Sequence, residues 1–162
     1  MIGNWQQPTS RLAAAEMIVI LVEAILDKGI DEIAEENEFD MTDAFSDTDS
    51  KAATFLKAAG ISTGVGGDRY NPDGTYTRAM MVTMLGRMAE KVFGLKLGNF
   101  QLGTDVFNDL PAGYAYADQY IGWAAQVGIT QGIGGGLFDS DRELQNQQSG
   151  VLTLRAYENL TG

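Results

Sequence analysis

Gly60-Ile61-Ser62-Thr63-Gly64-Val65-Gly66-Gly67 returns 68 positions later (60 against 128) as Gly128-Ile129-Thr130-Gln131-Gly132-Ile133-Gly134-Gly135. The register then holds without a gap, with Tyr70 matching Phe138, Asp73 matching Asp141 and Arg87 matching Arg155. Upstream, Phe45-Ser46-Asp47 resembles Phe107-Asn108-Asp109 at an offset of 62 (45 against 107), so the later copy carries six extra residues, placed around Pro111-Ala112-Gly113 by its turn composition. Self-similarity at a fixed period means that one supersecondary unit is used more than once.

Each unit reads the same way. After the Phe-x-Asp, a short helix is predicted over Lys51–Ala59 and over Ala115–Val127, with Gly60 and Gly128 as C-caps. A glycine-rich loop leads to a longer helix, predicted in the first copy from about Thr77 to Phe93, where Met81, Met84, Leu85, Met88 and Val92 form one apolar stripe. The N-terminal segment looks like the second half of such a unit. A helix runs from Ser10-Arg11 to about Asp27, with Ile18, Leu21, Val22 and Ile25 on one side and Gly29 ending it. Gln145–Leu160 is the third long helix, weakened by Gly150 at a cost of about 1 kcal/mol relative to alanine. Three long helices with one stripe each satisfy one another by packing together, so the expected class is all-α around a three-helix centre.

Composition narrows the chemistry. The 162 residues include no His and no Cys, which excludes imidazole bases, thiolate nucleophiles, disulfides and the usual zinc sites. Asp plus Glu number 22 against 11 Lys plus Arg, a formal charge of −11, which repels nucleic acid and anionic lipid. The longest apolar run, Met17–Val22, is far short of the ~20 residues that cross a bilayer, and no secretory signal is read at the N-terminus, so an exported protein would carry its signal outside this sequence. No cofactor or metal is expected. Nine acidic residues and no basic one lie between Asp31 and Asp49. They lack an Asp-x-Asp-x-Asp-Gly calcium loop and read as a solvated linker tacked down by Ile33 and Phe39.

The ordered run of motifs resembles the S-layer homology domains of bacterial cell-surface proteins. An aromatic-x-Asp opening, a Gly-Ile-x-x-Gly loop, an aromatic-x-Pro turn and a Thr-Arg-Ala-Glu helix start are matched by Phe45-Ser46-Asp47, Gly60-Ile61-Ser62-Thr63-Gly64, Tyr70-Asn71-Pro72 and Thr77-Arg78-Ala79-Met80. The later copy supplies Phe107-Asn108-Asp109, Trp123-Ala124, Gly128-Ile129-Thr130-Gln131-Gly132 and Phe138. About two and a half repeats are covered: a half-repeat over 1–30, the acidic linker 31–44, and repeats over 45–94 and 105–160 of a single domain. Ser10-Arg11-Leu12-Ala13 is a looser helix start, and Gln145-Asn146 stands where the second unit has Thr77-Arg78. The resemblance implies a pseudo-threefold spindle, a central three-helix bundle with short helix–loop prongs.

It also implies a noncatalytic anchor that docks to secondary cell-wall polysaccharide, often pyruvylated, at the cell surface. By the resemblance Arg78, Thr77 and Gly64 make one groove and Arg11 a second, with Trp123 as a stacking wall and Gly132 in the third unit's loop. An Arg in a helix's first turn would add its donor fork to free backbone N–H groups and the positive helix end. Each residue has a plainer reading: an ion-pair partner for the arginines, turn residues for the glycines, core for Trp123, and caps for Asp47 and Asp109. The second functional expectation is a protein-interaction module of the same fold that self-associates and has lost glycan binding. An enzyme ranks third, because no pair of carboxylates is nominated by spacing.

Overall fold

A computed structural model describes residues 5–110 and 115–162. Among the described residues six α-helices follow one another: α1 (Arg11–Leu26), α2 (Ile30–Glu36), α3 (Lys51–Ala58), α4 (Arg78–Lys91), α5 (Asp118–Gln126) and α6 (Asn146–Thr161). The chain is all-α, and its three long helices α1, α4 and α6 pack on one another in every pairing. The short α3 lies against α1, and α5 lies against α4. The core they enclose includes Ile18, Val22, Phe55, Leu56, Met81, Leu85, Met88 and Ala156, each at most 0% exposed.

Helix ends follow local chemistry. Ser10, Ser50 and Thr77 cap α1, α3 and α4, their hydroxyls accepting from the N–H of Ala13, Ala53 and Met80. The start of α6 has no hydroxyl cap; there the Gln148 side chain reaches back to accept from the Gln145 N–H at 2.9 Å. α1 ends next to Asp27 as expected, but Gly29 is not what ends it. Asp27 takes the left-handed conformation at φ 53 and closes the helix, a position Asp tolerates, and Gly29 precedes α2 instead. The acidic segment is thus partly helical. Ile33 is fully buried, Phe39 meets Phe55 edge-on at 5.9 Å, and Lys51 and Lys57 of α3 pair with Asp31 and Asp43.

Two 3-10 turns, Leu97–Asn99 and Gly103–Asp105, had no sequence signal. They precede α5, which starts at Asp118 rather than Ala115, with Asp118 accepting from the Thr104 N–H at 2.8 Å. The Pro111-Ala112-Gly113 turn expected from composition lies outside the described residues.

The three units close on themselves through backbone. The Thr9 N–H donates to Leu144 O at 2.7 Å, the Leu144 N–H to Tyr76 O at 2.9 Å, and the Tyr76 N–H back to Thr9 O at 3.1 Å. Thr9, Tyr76 and Leu144 hold equivalent places just before α1, α4 and α6, so the ring has one member from each unit. Isolated bridges repeat the pattern around it: Ser10 with Thr75, Thr77 with Glu143, and Pro8 with Gln145.

Candidate functional site

The aromatic-x-Asp signature proves to be a clasp. Asp47 accepts from the N–H groups of Tyr70 and Asn71, both at 2.8 Å. Asp109 accepts from Phe138 and Asp139 at 2.9 and 2.8 Å. The Tyr70 N–H bond, aided by that of Asn71, holds the Asp47 carboxyl below its usual pKa. Partial burial opposes ionisation of Asp109, yet the Phe138 and Asp139 bonds keep it below the usual value as well. Both acids therefore close loops. The aromatic partners pack in the same way, Phe45 on Tyr70 and Phe107 on Phe138, each at 5.2 Å.

Gly64 and Gly132 sit under those rings. Both have positive φ, and a Cβ would fall 2.3 Å from Arg69 O at Gly64 and 2.4 Å from Leu137 O at Gly132. The same added carbon would meet Phe45 or Phe107. These glycines are demanded by the packing of their own loop on its aromatic residue.

The sequence expectation that grouped Arg78 with Gly64 inside one unit needs correction. Each helix start meets the loop of the following unit. Arg11 and Leu12 donate their backbone N–H to Gly74 O and Pro72 O, and Arg78 and Ala79 donate to Arg142 O and Ser140 O. Asn146 and Gln147 of α6 donate to Gln7 O and Trp5 O, completing the cycle. Arg78 accordingly faces the Gly132 loop, its guanidinium carbon 5.9 Å from the Phe138 ring. A second correction follows. The first-turn N–H groups of α4 are occupied, by Arg142, Ser140 and the Thr77 hydroxyl, so they do not assist an anion. Thr77 shapes the turn that carries Arg78.

The two arginines have different fates. Arg11 is 8% exposed, stacked over Tyr70 at 4.7 Å and Tyr76 at 5.2 Å, with Nε donating to Tyr70 O at 2.6 Å. It is an internal cross-link. At Arg78 the equivalent of Tyr76 is Leu144, which leaves space. A groove of about 370 Å³ opens there, lined by Arg78, Leu144, Gln147, Gln148, Val151 and Arg155. Arg78 Nε is buried and meets no hydrogen-bond partner among the described residues. Burial lowers the Arg78 pKa, Asp139 opposing and Arg142 adding to the effect, but an Arg stays charged at neutral pH. Arg155 donates one nitrogen to Ile129 O at 3.3 Å, as Arg87 does to Ile61 O at 3.3 Å.

Trp123 is 1% exposed and belongs to the core, so it presents no ring face as a stacking wall. Sequence reading missed Arg155, Gln147 and Gln148 as groove residues. Their only signal was position, on the face of α6 that turns toward the start of α4. Among the described residues no cluster of three acidic groups could hold a metal ion, and no helix is long and apolar enough to cross a membrane.

Two comparisons bear on this geometry. Residues 106–141 match the model of the S-layer homology domain. A "Cell surface protein" from Thermoanaerobacter kivui is 32% identical over 107 residues, which is 66% of this chain and 14% of that protein.

Proposed function

Because the chain carries an S-layer homology domain, a cell-surface module, we propose that it is a noncatalytic anchor whose Arg78 groove binds an anionic cell-wall polysaccharide. The observation that carries this reading is the buried, unpartnered Nε of Arg78 in an open groove beside a second cation, Arg155. A guanidinium offers a carboxylate a flat, two-pronged donor, and a pyruvyl ketal presents such a carboxylate on a sugar ring. Gln147 and Gln148 supply neutral donors and acceptors for hydroxyls, and Val151 and Leu144 an apolar floor.

The net charge of −11 sets a constraint. Screening within about 8 Å at physiological salt leaves the two local arginines in control of an anion already in the groove. Binding in this reading depends on them and changes little with added salt. The test is retention on purified wall polymer, with and without its pyruvyl groups. Arg78→Ala and Arg155→Ala should each release the protein while leaving its melting temperature within a few degrees. Equal retention of Arg78→Ala and the parent chain would overturn the assignment.

A further inference from the structure

Two of the junctions between units are built on matching four-residue turns, and the turn against Arg78 carries charges that the turn against Arg11 lacks. Residues 71–74 and 139–142 hold equivalent places. The N–H of the last residue donates to the carbonyl of the first, Gly74 to Asn71 at 3.0 Å and Arg142 to Asp139 at 3.1 Å. The carbonyl of the last residue accepts from the helix start, Gly74 O from Arg11 and Arg142 O from Arg78. Each first residue has left-handed backbone, φ 58 at Asn71 and 63 at Asp139, which Asn and Asp tolerate. Each is also anchored through its N–H by an aspartate clasp.

The side chains differ where the backbones agree. A Cβ on Gly74 would fall 2.5 Å from Asn71 Nδ2 and 3.1 Å from Arg11 Cδ, so this place lies between the turn's first side chain and the helix-start arginine. At the second junction the same place belongs to Arg142, whose Nε donates to Asp139 Oδ2 at 2.9 Å. Asp139 therefore has two cations to choose from. Its charge acts on Arg78 as well, favouring the guanidinium's charged form against the effect of Arg142. The structure shows the carboxylate on Arg142, and Arg78 Nε is left buried with no partner among the described residues.

We propose, on the reading that the Arg78 groove takes an anion, that Arg142 is a positioning residue for it: by holding the Asp139 carboxylate it keeps an internal acid off Arg78, whose guanidinium stays open to a ligand's carboxylate. Asp139 and a pyruvyl group are the same chemistry, a carboxylate that fits a guanidinium fork. Released from Arg142, Asp139 competes for Arg78 from within the chain, at an effective concentration that a free ligand does not match. The pair is partly exposed, 55% for Arg142 and 32% for Asp139, and so adds little to stability. Its contribution is to decide which acid Arg78 meets. The first junction has no use for such a device, because Asn71 is neutral and Arg11 is closed by Tyr70.

A double-mutant cycle on the full chain tests this, read as affinity for immobilised pyruvylated wall polymer. Arg142→Ala should weaken binding about three- to fivefold while moving the melting temperature by no more than about 2 °C. Arg142→Lys, which keeps a cation for Asp139, should bind within about twofold of the parent. Asp139→Asn places the residue found at position 71 in the equivalent turn. It should return the Arg142→Ala chain toward the parent affinity, by a larger factor than it changes the parent itself. Equal factors in the two backgrounds would mean that the charges act on the ligand independently, which overturns the proposal. So does an Arg142→Ala chain that binds like the parent when Arg78→Ala does not. The nuclear magnetic resonance signal of the Arg78 Nε–H reads the same contact with no polymer present: it should shift in Arg142→Ala and return in the double variant. If Arg78→Ala keeps the parent's affinity, the polymer reading of the groove fails by itself, and the positioning role is decided by that signal, whose constancy in Arg142→Ala overturns it.

Discussion

The Nε of Arg11 donates to the carbonyl of Tyr70 at 2.6 Å, and the Tyr70 hydroxyl donates back to the Arg11 carbonyl at 2.7 Å. This reciprocal pair ties the first turn of α1 to the loop of the unit that follows it. The Tyr76 ring also lies beside the guanidinium, at 5.2 Å, so the cation is satisfied without any ligand. At the equivalent junction Phe138 has no hydroxyl and Leu144 no ring to stack, and the Arg78 guanidinium is left with space beside it. One substitution pattern converts a structural cross-link into a groove.

Arg11→Ala should therefore act on stability and not on polymer retention. Losing a charge-assisted hydrogen bond and contacts with two aromatic rings costs about 2–4 kcal/mol. In a chain of this size that lowers the melting temperature by roughly 5–15 °C. Thermal denaturation measures the loss, and retention on wall polymer below the transition should match the parent chain.

Leu144→Tyr should do the opposite. A tyrosine there would lie against Arg78 as Tyr76 lies against Arg11, filling the groove. Leu144 is itself buried but borders the groove, so the larger ring extends into it at a cost in stability of about 1–3 kcal/mol. Polymer retention should fall at least as far as with Arg78→Ala, and a melting curve alongside the binding assay separates the two effects.

Much of this architecture was legible before any coordinates. The repeated Gly-Ile loop and the three apolar stripes foretold the ends of five helices to within a residue or two, the start of α5 excepted, because caps and periodicity are local. What sequence could not supply was which unit touches which. Arg78 and Gly64 belong to one copy of the motif, yet the closed backbone ring of Thr9, Tyr76 and Leu144 places each helix start against the next copy's loop. Relations between units leave no trace in the spacing within a unit. The same limit hid Arg155, whose register with Arg87 was visible but whose proximity to Arg78 depends on the packing of α4 against α6.

Gly132→Ala and Gly134→Ala offer a matched pair. Both glycines have positive φ, so each alanine incurs about 1–2 kcal/mol of backbone strain. Only at Gly132 does the new Cβ also collide with the Leu137 carbonyl and the Phe107 ring, whereas Gly134 has open space around it. Gly132→Ala should thus be the more destabilising by at least about 1 kcal/mol, read from the difference in chemical denaturation midpoints. Equal losses would show that the aromatic does not hold the loop.

The aspartate clasps set the acid limb of stability. Both carboxyls are ionised more readily in the folded chain than when free. Their stabilisation is thus complete above the ordinary aspartate pKa, about 3.9, and is lost as pH falls through the lower folded values. Protonating the many exposed acids works the other way, because it relieves the self-repulsion of a −11 chain. The clasps are therefore seen by comparison with the doubly substituted chain, Asp47→Asn with Asp109→Asn, and not in the parent profile alone. At pH 7 the variant should melt lower than the parent, since each Asn offers one acceptor oxygen where two N–H groups need partners. Between about pH 4 and pH 2 the gap should narrow, and melting temperatures at half-unit intervals would show it. A gap that stays constant to pH 2 would mean that the clasps' charge contributes nothing to the fold.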